Sequence, residues 1–190
     1  MFHTTTTLLA SFFFFSASVS AATETYTIDP SHTYTHFAVS HLGFSTMRGR
    51  FDQISGKLTI DRAAKTGSID IIIETASLNT GLKKRDDHLR SPDFFNTAEF
   101  PKATYKSTVV KFNGDTPTTV EGSLTLLGVT KSVTLAIIAF KCGKNPMNLK
   151  AMCGMDATAN MKRSDFGMSY ALPGVGDNLQ LTLEVEAYKD

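Results

Sequence analysis

Of the five histidines, His32, His36, His41 and His88 lie beyond the first twenty-two residues, and they are the groups best suited to acid–base work or metal ligation near neutral pH. In "HFAVSHLGFSTMRGRFD", His36 to Asp52, two of them stand five positions apart. An odd spacing on an extended strand sends side chains to opposite faces, so His36 and His41 cannot hold one ion without a bulge, and no metal is expected. A second cluster, "RDDH" from Arg85 to His88, sets Asp86 two residues before His88. Joined by His41 it could form an acid–base set acting on a bound molecule; as a charge run on a short helix it is a solvated turn. No G-x-S-x-G elbow presents a nucleophilic serine. Cys142 and Cys153 are too far apart for a C-x-x-C motif. In an oxidising compartment they pair as a structural disulfide that pins a hairpin, which removes them as nucleophiles. No catalytic residue is expected.

The expectation of an oxidising compartment comes from the first residues. "LLASFFFF", Leu8 to Phe15, is an uncharged apolar run too short to span a bilayer, and "SVSAA", Ser18 to Ala22, supplies small residues for a signal peptidase. Residues 1–22 read as a secretory signal, with cleavage after Ala21 or Ala22, and residues 23–190 as the mature domain of a periplasmic or secreted protein. No later apolar run reaches the roughly 20 residues of a membrane helix, so no stable membrane insertion is expected. With 19 Lys and Arg against 18 Asp and Glu, the formal net charge is +1. A near-neutral chain has no field with which to gather a polyanion, which argues against nucleic acid as a partner.

The elements that must position these groups are strands. From Thr23 onward apolar residues recur with a period of two. Ile69, Ile71 and Ile73 share a face, as do Ala103, Tyr105, Ser107 and Val109, then Val120, Gly122, Leu124 and Leu126, then Val133, Leu135 and Ile137. Ala157, Ala159 and Met161 align, and Leu179, Leu181, Leu183, Val185 and Ala187 alternate with Gln180, Thr182, Glu184 and Glu186. Phe51, Leu58 and Ile60 read as one long strand bent at Gly56. Short turns between the runs favour antiparallel neighbours and leave no room for crossover helices. A sheet with one wet and one dry face over about eight strands can close on itself, and small inward residues such as Ala159 leave room inside. Only Leu82 to Pro101 loses the alternation; it reads as one or two short helical turns, broken at Pro92, folded over an end of the sheet.

Five ordered segments carry a resemblance: "IDPSHTYTHFAVSHLGFSTMRGRFDQISGKL", "RDDHLRSPDFFNTAEFP", "GSLTLLGVTKSVTL", "MKRSDFGM" and "VGDNLQLTLEVEA". Together, from Tyr26 to Tyr188, the chain resembles the YceI-like family of lipocalin-like polyisoprenoid-binding proteins. The resemblance implies an all-β fold, an extended eight-stranded antiparallel lipocalin-like barrel with one or two short helices capping an end. It also implies a non-enzymatic protein with no cofactor beyond a bound isoprenoid lipid or fatty-chain ligand, and members that often pair as homodimers.

Alternation and resemblance together put Phe37, Val39 and His41 on the lumen wall, with Leu42 and Phe44 near a rim. Phe51, Leu58, Ile69, Ile71, Tyr105, Leu124, Leu135, Ala159, Met161 and Leu181 continue the wall, and Leu89, Phe94, Phe95 and Phe166 join it from the capping segments. Arg50, His88, Arg90, Arg163 and Asp165 are the head-group candidates, the arginines because their fork suits a pyrophosphate.

Overall fold

Period-two patterning resolves into antiparallel strands in the computed structural model, which describes residues 23–190. The signal-peptide reading of residues 1–22 lies outside the described residues. The strands are β1 (Glu24–Ile28), β2 (Tyr34–His41), β3 (Ser45–Phe51), β4 (Ile54–Asp61), β5 (Thr66–Glu74), β6 (Leu78–Asn79), β7 (Lys102–Asn113), β8 (Thr116–Leu126), β9 (Val129–Lys144), β10 (Ala151–Lys162) and β11 (Val175–Lys189). Among the described residues one α-helix, α1 (Lys83–Leu89), precedes Pro92 where the alternation lapses, and short 3-10 turns lie at Thr75–Ser77 and Arg163–Phe166. No helix among the described residues is long and apolar enough to cross a membrane.

Eight strands close the barrel in the order β1, β4, β5, β7, β8, β9, β10, β11, with β11 returning to β1 through Ile28 opposite Ala187. Strand β11 is long enough to serve two partners. Its last residues pair with β1, and Val175 to Glu184 pair with β2. The chain crosses between these positions at Asp29 to Thr33. There the Asp29 N–H donates to the Glu186 carbonyl at 2.9 Å, and the Thr33 hydroxyl both donates to that carbonyl at 3.2 Å and accepts from the Glu186 N–H at 3.1 Å. Those bonds satisfy backbone groups that the broken ladder would leave unpaired.

The expected bend at Gly56 is not where the path breaks. Strands β3 and β4 part at Asp52 and Gln53 instead. Gly56 has its own reason to be glycine: its φ is +148°, and a β-carbon would lie 2.1 Å from the Asp70 carbonyl oxygen. Strand β7 departs from strict alternation too. A bulge between Ser107 and Val109 turns Val109 out to 45% exposure, while Val110 packs on the core.

The two barrel ends differ. One gathers the tight turns at 62–65, 114–115 and 145–150 with both edges of the described chain. The other carries α1 and the irregular segments 90–101 and 163–174. That second end is sealed by aromatic rings. Phe94 and Phe95 are buried, Phe95 meets Phe51 edge-on at 5.4 Å between centroids, and Phe37 stands 5.9 Å from Phe51. Thr75 ties the segment down, its N–H donating to the Pro101 carbonyl at 2.9 Å and its hydroxyl to the Phe100 carbonyl at 2.7 Å.

Candidate functional site

The inward faces of the barrel strands form one apolar core, and a cavity opens into that core near the end with the tight turns. A cavity of about 50 Å³ there is walled by Tyr26, Leu58, Ile60, Ile69, Val110, Phe112, Val120, Ile137, Phe140, Met155 and Val185, and it is partly open to solvent. By the ~10–15 Å³ that a water requires, it would hold about four waters, yet its wall is almost wholly apolar. A polar solute gains nothing from such a wall; an alkyl or prenyl tail does.

Farther in, side chains fill the barrel. Tyr105 is buried, with its hydroxyl within hydrogen-bonding distance of the carbonyls of Val133 (3.0 Å) and Val120 (3.2 Å). Burial pushes its phenol up to about 12. Gly122 leaves the slot in which the ring lies, so a small residue that looked like spare room in sequence is a seat for a neighbour. Ala157 and Ala187 are likewise fully buried against packed neighbours. The wide lumen expected from small residues is therefore narrow in this conformation.

Of the expected wall residues, Leu58 and Ile69 border the cavity. Ile71, Tyr105, Leu124, Leu135, Ala159, Met161 and Leu181 belong to the packed core beyond it. Phe37, Phe51, Phe94 and Phe95 build the aromatic seal, with Leu89 packed against the core and Phe166 buried at 2% exposure. Val39 is buried and His41 half-buried on β2, where His41 stands opposite Ser45 and Val175. Leu42 and Phe44 are corrected: they form a turn that projects into solvent, Phe44 at 92% exposure. Leu42 with φ +53° and Gly43 with φ +72° turn the chain outward there. The wall residues the sequence missed, notably Val110, Phe112 and Phe140, follow register shifts in β7 and between β9 and β10 that no uniform alternation reveals.

The head-group candidates do not converge. Arg50 lies on β3, its Nε 2.6 Å from an Asp52 oxygen and its guanidinium over the Tyr34 ring. His88 is engaged with Asp93 at 2.9 Å and stacks edge-on with Phe94 and Tyr170. Arg90 clamps α1 to the strand edge by donating to the Ala76 and Leu78 carbonyls. Arg163 is corrected most fully. At 2% exposure it donates to the carbonyls of Gly176, Met168 and Val175 at 2.8 to 2.9 Å, so the guanidinium is spent on backbone carbonyls inside the fold and is not presented at a mouth. Burial pulls its pKa below the ordinary arginine value. Asp165 beside it is exposed.

The acid–base alternative finds its members otherwise occupied. Asp86 is buried and accepts from the Thr80 N–H at 2.9 Å and from the Thr80 hydroxyl, so it closes the turn before α1. Among the described residues no hydrogen bond joins His41, Asp86 and His88 to one another. His36 faces outward beside Glu184 at 3.5 Å, away from His41. One set of possible metal ligands does assemble, Asp29, His32 and Glu186, with ligand atoms within 4.8 Å. The Asp29 carboxylate there already accepts from the Ser31 N–H and hydroxyl and contacts His32 at 2.9 Å, the bonds of a tight turn; these hold the Asp29 carboxyl below its ordinary range and the exposed His32 imidazole above its own.

The cysteine pair is as expected. Cys142 and Cys153 face each other in register and are disulfide-bonded, with 4.0 Å between their α-carbons.

Comparison with known proteins bears on the whole chain. A UPF0312 protein of Yersinia pestis is 37% identical over 170 residues, covering 88% of both chains. A crystal structure of the Campylobacter jejuni YCEI protein superposes with a TM-score of 0.68 at 29% identity, covering 80% of this chain and 90% of that one. A polyisoprenoid binding domain from Saccharophagus degradans has the same fold, with a TM-score of 0.63 at 19% identity over 87% of this chain and 98% of that one. The model of the YceI-like domain matches residues 26–187, from the first barrel strand to the residue that closes β11 on β1. A closed eight-stranded antiparallel barrel, its apolar lumen and a match over nearly every described residue lead to one assignment: the chain belongs to the YceI-like family.

Proposed function

We propose that the chain is a non-enzymatic carrier that takes a long-chain isoprenoid lipid, or an amphiphile of similar length, into the barrel from the end where the cavity opens. The observation that carries this reading is the cavity itself, an apolar pocket continuous with an apolar core and partly open at one end. The Saccharophagus degradans domain of the same fold is a polyisoprenoid binding domain, and its ligand class fits this wall. Each methylene withdrawn from water contributes about 0.8 kcal/mol, so affinity grows with the length of tail admitted. Admission of a full tail requires side chains of the packed core beyond the cavity to move, Tyr105 among them. The apolar run at Leu8 to Phe15 and the disulfide both support a periplasmic or secreted site of action.

Solvent extraction of the purified protein, followed by mass spectrometry, tests the reading. A stoichiometric prenyl or fatty-chain lipid is expected, or uptake of a prenyl quinone or prenyl pyrophosphate supplied in micelles. An empty extract with no uptake of either probe overturns it and leaves a barrel filled by its own side chains.

A further inference from the structure

The hairpin between β9 and β10 has a composition unlike the rest of the surface. From Phe140 to Met155 it carries Lys141, Lys144 and Lys150 and no acidic residue. Other lysines at the same barrel end have carboxylate partners: Lys57 with Asp190, Lys111 with Glu121, Lys189 with Glu24. The three on the hairpin form no such ion pair among the described residues, although Lys141 and Lys144 share a surface cleft with Asp156, Glu184 and Glu186 on the neighbouring strands.

Between these lysines the tip displays apolar side chains, Met147 at 93% exposure and Leu149 at 71%. The tip is held in this shape. The disulfide closes its root, the Asn145 side chain accepts from the Met147 N–H at 2.8 Å, and the Asn148 side chain accepts from the Lys150 N–H at 3.0 Å. The amides of Asn145 and Asn148 both donate to the Tyr188 hydroxyl, which fastens the tip to β11. A pinned loop that keeps two large apolar groups in water, ringed by unpaired ammonium groups, matches the two layers of a lipid interface: an acyl region beneath a plane of anionic phosphates.

We propose that this hairpin docks the protein on an anionic lipid bilayer, with Met147 and Leu149 entering the interface and Lys141, Lys144 and Lys150 meeting the headgroup phosphates. The proposal rests on the carrier reading for its purpose. Phe140, Cys153 and Met155 at the hairpin root are also cavity wall, so docking brings the open end of the lumen to the membrane that holds the cargo. The attachment is reversible and peripheral, because each lysine near such a surface raises partition only about fivefold and two side chains insert.

Flotation of the purified mature protein with vesicles separates docking from carriage. Wild type is expected to float with vesicles of phosphatidylcholine and phosphatidylglycerol and to stay at the bottom with phosphatidylcholine alone, and to be released by high salt. The Lys141→Glu, Lys144→Glu, Lys150→Glu triple variant is expected to lose flotation at least a hundredfold, and Met147→Asp, Leu149→Asp at least tenfold. Both variants change exposed positions, and unchanged circular dichroism and urea midpoints confirm that they fold. Equal flotation on neutral and anionic vesicles, or variants that float like wild type, overturns the proposal. So does a tip that instead joins two copies: wild-type dimers by light scattering that dissociate in the Leu149→Asp variant, with no vesicle binding. Prenyl lipid uptake from micelles, measured on the same variants, reports the carrier reading separately. Uptake without flotation removes docking alone, and flotation without uptake removes carriage alone.

Discussion

A β-carbon on Gly122 would stand 2.5 Å from the Tyr105 hydroxyl, so the tyrosine ring lies where any larger residue on β8 would have to be. That pairing seats a buried ring against the inner wall, its hydroxyl reaching carbonyls on β8 and β9. The same device recurs at the sealed end, where a β-carbon on Gly49 would lie 2.4 Å from the Phe37 ring.

Gly122→Ala therefore overpacks the barrel at one point. The obstacle includes the Lys106 backbone carbonyl at 2.7 Å as well as the ring, so relief by rotating Tyr105 is incomplete. A loss of about 1–3 kcal/mol is expected. Urea unfolding followed by circular dichroism measures it, and a midpoint equal to wild type would show that the ring has another place to go.

Tyr105 also gives the protein an alkaline limit. Its folded pKa is raised from 10.0 to about 12 by burial, so the native state holds the phenol proton more tightly than the unfolded chain does. Stability from this group is complete below pH 10 and is lost as pH rises from 10 to about 12. Tyr105→Phe should flatten that decline and, at neutral pH, cost about 1 kcal/mol for the lost hydrogen bond. Urea midpoints at pH 7, 10 and 11 for both proteins make the comparison.

Arg163 should be intolerant of a lysine in its place. Three carbonyls converge on the planar fork from 2.8 to 2.9 Å, and an ammonium cannot reach all three from one buried point. Arg163→Lys is expected to destabilise by about 3 kcal/mol through charge-assisted bonds lost or distorted. Its effect on lipid uptake at a temperature where the variant stays folded should be small, which differential scanning calorimetry with a prenyl quinone uptake assay would show.

Ile69→Trp tests the cavity directly. Ile69 is 8% exposed and borders the open space, so an indole there fills the pocket at some overpacking cost. Uptake of a prenyl quinone from micelles should fall at least tenfold while circular dichroism remains that of a β-barrel. Unchanged uptake would place the ligand elsewhere on the protein.

Much of this architecture could be read directly from residue order. Leu179, Leu181, Leu183, Val185 and Ala187 against Gln180, Thr182, Glu184 and Glu186 can only be a strand with one dry face, and turn residues between such runs dictate antiparallel neighbours. The helical interruption before Pro92 and the pairing of Cys142 with Cys153 followed from equally local signals. These features depend on the pleat and on the near-neighbour chemistry of the chain, which a sequence displays.

The tertiary structure decided what the inward residues do. Alternation marks Leu124 and Ile69 alike as inward, and only assembly shows the first packed and the second beside open space. The bulge at Ser107 and Val109 brings in Val110 in place of Val109, and the register shift at Asp156 and Ala157 reseats β9. Arg163, whose fork suited a phosphate, turned to three backbone carbonyls that the chain delivers from residues 168 to 176. Cavities and buried polar contacts arise where distant segments meet, and their size is set by fractions of an ångström in packing that periodicity does not encode.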